Sequence, residues 1–300
     1  MDGILIIDKP AGITSHDVVY HVRRALGTKR VGHTGTLDPF ATGVMVILVG
    51  KATRLAQFLD KDRKEYIAEI QFGSRTDTGD STGKVIDGSE SHVDEIAPVL
   101  TSGLKTALES FRGDLLQAPP MYSAKKVGGK KLYELAREGK TIERESVPIS
   151  IYELSIVDDT WLEEDGRLQV KVACSAGTYI RTLAEDIGAS MGVGAHLVAL
   201  RRIAAGEFEL AQSITLDALN EMSDPGEALL PLDRAVSNIT GHEISDDRVE
   251  KTRSGLSTRV HSKDFVAGQN VRLVDESGHL IAIGVYDETE KAIRPKVVLI

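Results

Sequence analysis

The stretch that most limits how this chain can fold is Gly43-Val-Met-Val-Ile-Leu-Val-Gly50, an unbroken apolar run closed by a glycine at each end. Too short to span a membrane, it reads as a strand buried in a core. Just before it stands Gly32-His-Thr-Gly-Thr-Leu-Asp-Pro39, where glycines permit a tight turn and the proline stiffens the exit. Asp38 therefore sits on a constrained loop at the mouth of a rigid element, one way to hold a reactive carboxylate in a fixed pose. An Asx-type turn that merely caps the strand accounts for the same residues equally well.

Helical and strand patterns follow one another along the chain. Gly3–Asp8 reads as a short buried strand. Thr14 or Ser15 offers an N-cap to a helix with an apolar face of Val18, Val19, Val22 and Leu26, closed by Gly27. A short helix carrying Leu55, Phe58 and Leu59 follows the buried run. Between Lys64 and Phe72 the residues Tyr66, Ala68, Ile70 and Phe72 share one face, which predicts a half-buried strand. Gly73–Gly83 is a polar loop of turn formers, and Leu104, Ala107, Leu108 and Phe111 mark a helix ending near Gly113.

From Leu115 to Pro148 the chain turns basic and is punctuated by glycine and proline, with one helical patch at Leu132–Ala136. This is the pattern of an insertion that closes over a ligand. Leu168–Ala173 predicts another strand, and Gly177 and Thr178 a strand-to-helix turn before the stripe Ile180, Leu183, Ala184 and Ile187. His196–Ile203 and Gly206–Leu210 read as a strand pair. Beyond a linker-like Met222–Gly226, short strands at Asn270–Val274, Leu280–Val285 and Val297–Ile300 suggest a small β-barrel appended to the core.

The 300 residues suffice for one large or two moderate domains, and no run of eighteen apolar residues proposes a membrane span. The N-terminus lacks a basic leader, and Cys174 as sole cysteine excludes an intrachain disulfide or a thiolate zinc cluster. A soluble cytoplasmic protein is expected. A net charge of −9 argues mildly against a nucleic-acid partner, yet charge is unevenly distributed. Between Met121 and Lys140 six cations (Lys125, Lys126, Lys130, Lys131, Arg137, Lys140) face two acids (Glu134, Glu138), a local +4. Arg23, Arg24, Lys29 and Arg30 form a second basic group before the Asp38 loop. A nucleic-acid-binding face and a solvated charged helix both fit these clusters.

Most catalytic patterns are missing. There is no His-Glu-x-x-His, no Gly-x-Ser-x-Gly, and the eight histidines lack ligand spacing, so no metal is expected. Gly43–Lys51 resembles a phosphate loop but has the wrong spacing and no Ser or Thr after the lysine. What remains is Asp38, Tyr66 on the alternating strand, and Tyr179 and Arg181 opening a later helix. A carboxylate can attack a sugar or an activated ring, an arginine can keep it ionised, and aromatic rings stack on bases. On spacing alone Tyr66 also reads as a core aromatic, and Arg181 reads more readily as a surface helix charge.

Longer motifs narrow the choice. Asp8-Lys-Pro-x-Gly12-x-Thr-Ser15, Gly32–Gly43, Gly50-Lys-Ala-Thr-Arg-Leu55, Lys64-x-Tyr66, Thr76-Asp-Thr-x-Asp80, Pro119-Pro-Met-Tyr-Ser-Ala-Lys125, Gly177-Thr-Tyr-Ile-Arg181 and Gly194-Ala-His-Leu-x-x-Leu200-Arg-Arg202 occur in one collinear order. Over roughly the first 205 residues this resembles the TruB family of tRNA pseudouridine synthases. The resemblance implies an α+β fold with a mixed, largely antiparallel sheet and flanking helices. It implies a catalytic domain over 1–235 with an RNA-clamping insertion at about 112–147, and a PUA-like β-barrel over 236–300.

It also implies isomerisation of uridine 55 in the T-loop of tRNA, by base flipping, with Asp38 as nucleophile at either C6 or C1′. Tyr66 would stack on the uracil and help remove the C5 proton, Arg181 would pair with Asp38, and Tyr179 and Leu200 would line the uracil pocket. His33 would fill the gap left by the flipped nucleotide, while Lys9 and Pro10 would support the loop. No cofactor or metal is implied, because the substrate supplies every atom. The implied partner is the tRNA T-stem-loop, met by a monomer. A tRNA-binding folding chaperone with secondary catalysis is the alternative from another class. A glycosidase-like hydrolase lacks a second acid near Asp38 in sequence.

Overall fold

A computed structural model describes residues 1–59, 63–86, 90–123, 125–140, 142–261 and 265–300. The chain begins with β1 (Gly3–Lys9), α1 (Ser15–Ala25), β2 (Val31–Thr34), β3 (Thr42–Val49), α2 (Ala56–Leu59), β4 (Lys64–Phe72), α3 (Val93–Ser110) and β5 (Gly113–Gln117). Then come the short β6 (Lys126–Val127), β7 (Lys130–Lys131) and α4 (Leu132–Arg137). They are followed by β8 (Val147–Asp158), α5 (Leu162–Asp165), β9 (Arg167–Cys174), α6 (Ile180–Ser190), β10 (Ala195–Ala205), β11 (Phe208–Glu209), β12 (Ile214–Thr215) and α7 (Leu216–Glu221). The C-terminal part holds β13 (Gly241–Glu243), α8 (Asp246–Arg253), β14 (Thr258–Arg259), β15 (Asn270–Val274), β16 (Leu280–Asp287) and β17 (Ala292–Val298).

One mixed, largely antiparallel sheet runs in the order β12-β1-β3-β10-β4-β9-β8-β5, with β2 on β3 and β11 on β10. The apolar block at 43–50 is unbroken because β3 is covered on both sides. Met45, Ile47 and Val49 pack with Leu5 and Ile7 against Val18, Val19 and Val22 of α1. Val44, Val46 and Leu48 point the other way, with Ile4 and Ile6, into a cluster that includes Leu280, Ile283 and Val297 of the second sheet and Leu299 just past its last strand. A third cluster gathers Tyr66, Ala68, Ile70 and Phe72 of β4 with α3 and α6. No described helix is long and apolar enough to cross a membrane.

Several boundaries differ from the sequence reading. Helix α3 begins at Val93, ahead of the expected stretch, because Ile96 and Leu100 extend the buried stripe past Pro98. The basic excursion is shorter than expected: both its flanks are strands of the main sheet, with Gly113 opposite Ile151 and Gln117 opposite Val147. The side chains of Lys126, Lys130, Lys131 and Arg137, and residue Ala124 of the Pro119–Lys125 motif, lie outside the described residues. Where a barrel was expected, the C-terminal strands form one five-stranded sheet, β13-β15-β16-β17-β14, with strands of three and two residues at its ends.

Candidate active site

The loop between β2 and β3 is fastened from below by two buried side chains. Ser15, at the start of α1, donates from its hydroxyl to the Leu37 carbonyl at 3.0 Å and accepts from the Leu37 amide at 2.9 Å. It is held there because Thr14 and Asp17 form a capping box that fixes the first turn of α1. Lys9 is fully buried at the end of β1. Its ammonium donates to the carbonyls of Pro10 at 2.8 Å, Pro39 at 3.1 Å and Ala41 at 2.7 Å. Burial lowers the Lys9 ammonium to about 8, with the Asp38 charge opposing that shift. Gly43 makes the next step: its φ of +102° and the 2.1 Å between an added Cβ and the Arg202 carbonyl leave room for no side chain.

Asp38 leaves this loop and meets Arg181 from the first turn of α6. The two form a two-point ion pair, Nε to Oδ2 at 2.9 Å and Nη2 to Oδ1 at 3.1 Å. Arg181 also donates to the carbonyls of Thr78 and Tyr122, both at 2.8 Å, and its Nη1 lies 3.4 Å from Asp80 Oδ2. Its side chain and that of Asp80 are each 5% exposed, whereas that of Asp38 is 34% exposed. The guanidinium is thus fixed inside the protein while the Asp38 carboxylate opens to solvent. Burial pushes the Asp38 carboxyl above its ordinary value; Arg181 pulls it back and Asp80 adds to the rise.

The start of α6 is set by a reciprocal clamp. The Gln117 side chain accepts from the Tyr179 amide at 2.8 Å and donates to the Tyr179 carbonyl at 3.0 Å. Tyr179 itself is half-buried at the helix N-cap, following the Gly177 turn with φ +87°. Tyr66, on β4, is buried in the same cluster as Leu37, Ala41, Ile180 and Leu200. Burial raises its hydroxyl, and the nearby Asp38 charge also contributes to the rise. Leu200 pairs with Ala68 across β10 and β4. His33 stands on β2 opposite Ile47, on the strand that leads into the Asp38 loop.

Sequence reasoning therefore named Asp38 and Arg181, which touch, and Tyr66 and Leu200, which share the apolar wall beside them. It did not single out Asp80, Gln117 or Arg202. Asp80 is buried, and its Oδ1 accepts from the Thr78 hydroxyl at 2.9 Å and from the Thr82 amide at 3.0 Å. The signal for it was present in the spacing of Thr76-Asp-Thr-x-Asp80, whose hydroxyls can satisfy a carboxylate inside a protein. Chemically, the site offers one accessible carboxylate aimed by a fixed cation and flanked by an aromatic and aliphatic surface. Among the described residues, no group of three or more His, Cys, Asp or Glu side chains is placed to hold a metal.

Comparison with known proteins gives this geometry a context. The family model "TruB family pseudouridylate synthase (N terminal domain)" matches residues 23–180, and "tRNA pseudouridylate synthase B C-terminal domain" matches residues 181–237. The chain is 43% identical over 265 residues to tRNA pseudouridine synthase B of Geobacillus thermodenitrificans, covering 87% of this chain and 86% of that relative. It is 41% identical over 298 residues to tRNA pseudouridine synthase B of Bacillus pumilus, covering 97% and 95%. Among solved structures, an H/ACA RNP bound to a substrate RNA containing 2′-deoxyuridine matches with a TM-score of 0.72 at 25% identity, over 99% of this chain and 85% of that one.

Proposed function

The chain belongs to the TruB family of pseudouridylate synthases, and from that premise we propose that it isomerises uridine 55 in the T-loop of tRNA to pseudouridine, with Asp38 as nucleophile. The observation that carries this reading is the two-point pair between Asp38 and the buried Arg181. Burial raises this carboxyl, the fixed cation pulls it back toward the ionised form, and one side of it stays open toward solvent. Asp38 attacks the flipped nucleotide at C6 of the uracil or at C1′ of the ribose. The detached base turns and rejoins the ribose through C5, so the substrate supplies every atom and no cofactor or metal is required. Extruding the base costs a few kcal/mol, offset by pocket contacts and stacking.

In this reading Tyr66 stacks on the uracil and receives the C5 proton, Tyr179 and Leu200 wall the pocket, and His33 fills the gap in the T-loop. Lys9 holds the catalytic loop through its carbonyls. Residues 1–235 act as the catalytic domain, and the basic excursion clamps the T-stem-loop through its phosphates. Residues 236–300 act as a PUA-like RNA-binding domain, in a cytoplasmic monomer. The experiment is to treat an unmodified tRNA transcript and an isolated T-stem-loop RNA with the protein and map pseudouridine. Conversion at position 55 in both supports the proposal; conversion only at other positions, or none, refutes it.

A further inference from the structure

Arg202 is a large charged side chain only 1% exposed, and among the described residues no carboxylate lies within ion-pair distance of it. A buried guanidinium without a counter-ion is costly unless its donors are placed with purpose. Here they tie two other elements to β10. Nε donates to the Val44 carbonyl of β3 at 2.6 Å, and Nη2 donates to the Gly35 carbonyl of the Asp38 loop at 3.1 Å. Tyr66 stands beside it as its register partner across β4 and β10, and the Arg202 charge opposes the rise that burial imposes on the Tyr66 hydroxyl. The close approach of β3 to β10 at Gly43 brings the guanidinium under the loop; Gly35, with φ +70°, has Arg202 Nη1 3.4 Å from where a Cβ would stand.

We propose that Arg202 is a positioning residue for Tyr66, fixing the phenol oxygen relative to the Asp38 loop and compensating the charge of the phenolate that takes the C5 proton. This rests on the pseudouridine synthase reading above. Once the base has rejoined the ribose through C5, the C5–H bond breaks and its electron pair returns to the ring. The proton passes to the Tyr66 oxygen, and N1 takes a proton from water. Tyr66 enters the step as phenolate, having given its own proton to solvent. The groups facing it are Arg202 on β10, Cys174 on β9 and Asp38 on the loop, with Lys64 two residues earlier on its own strand. Burial makes the phenolate scarce; Arg202 opposes this, whereas Cys174 and Asp38 reinforce it.

The sign follows: the chemical step accelerates as pH rises, and weakening the Arg202 contact moves that rise to higher pH. The test measures kcat, KM, the pH profile and the C5-deuterium isotope effect on a tRNA transcript, for the full chain and for Arg202→Lys, each with Tyr66 and with Tyr66→Phe. In the Tyr66 background the expected loss is on the order of 100-fold in kcat, with KM within about two-fold and a larger isotope effect. In the Tyr66→Phe background the same change should cost less than about two-fold, because the group it serves is gone. Equal losses in both backgrounds, or an unmoved pH profile, overturn the proposal. Should Arg202→Lys fail to fold, the guanidinium 15N resonance of Arg202 decides: it shifts on Tyr66→Phe if the contact exists, and an unchanged resonance overturns it. Absence of pseudouridine with the unaltered protein would instead refute the reading on which the proposal rests.

Discussion

Arg181→Met is the most informative perturbation of the site. It keeps an unbranched apolar side chain and removes five contacts: two to Asp38, one to Asp80, and one each to the Thr78 and Tyr122 carbonyls. Removing one partner of a buried pair costs about 3–5 kcal/mol, because the other charge is left behind. Two features place the loss near the lower end. Asp38, 34% exposed, can take water in place of the guanidinium. Asp80 keeps its Thr78 and Thr82 donors on Oδ1, so only Oδ2 is abandoned. The expected loss is about 3 kcal/mol. For a chain of this size, calorimetry should then show an unfolding midpoint lowered by roughly 5 °C.

Activity should fall much further than stability. A preorganised charge at a reacting centre contributes on the order of 10²–10³ in kcat, read here by tritium release from tRNA labelled at C5 of uridine. Adding Asp80→Asn to Arg181→Met should return part of the lost stability, since it removes the most deeply buried orphan charge, while leaving activity low. A variant that melts like the unaltered protein and still turns over at its rate would refute the assignment of Arg181 as the cation that aims Asp38.

Further outcomes follow from the same contacts. Because burial raises the Asp38 carboxyl and Asp80 adds to the rise, the acid limb of kcat/KM should lie above the ordinary aspartate range, and Asp80→Asn should move it down; a limb that ignores Asp80→Asn contradicts this. Lys9, lowered from 10.5 to about 8 by burial, holds its proton less tightly folded than unfolded. Its charge therefore weighs against the fold below pH 8, and that penalty is relieved as pH rises from about 8 to 10.5, by about 3 kcal/mol in total. Denaturant titrations of the unaltered protein and Lys9→Met should change relative to one another by about this total across that window, and parallel curves would contradict it. Gly43→Ala, with a Cβ 2.1 Å from the Arg202 carbonyl, should cost at least about 3 kcal/mol or prevent folding, as judged by the urea midpoint.

Much of the scaffold was legible because its strands obey simple periodicities. The alternation from Lys64 to Phe72 gave a strand with the observed limits, and of the two caps the sequence offered, Thr14 and Ser15, Thr14 starts α1. Helix α3 was half hidden because Pro98 reads as a breaker; near a helix start it sacrifices one hydrogen bond, which the burial of Ile96 and Leu100 outweighs. The second carboxylate was hidden for another reason. Asp80 stands among glycine, serine and threonine, a composition that reads as a solvated loop, and it becomes internal only when that loop docks beside Leu197 of β10. Arg201 and Arg202 look alike in sequence, but successive strand residues face opposite sides. Arg201 reaches Asp8 at 2.7 Å at a partly exposed position, while Arg202 turns inward under the Asp38 loop. The long-range partners of Asp38 could be named from a family resemblance, but not from any local pattern.

The most direct test of the central claim is Asp38→Asn, assayed for pseudouridine formation and for tRNA affinity in the same preparation. Asparagine keeps the size and one acceptor for Arg181 but is not a nucleophile. If Asp38 attacks the flipped uridine, the variant forms no pseudouridine while binding tRNA about as tightly as the unaltered protein. Retained turnover would contradict the nucleophile, and joint loss of turnover and binding would make Asp38 a structural residue of its loop.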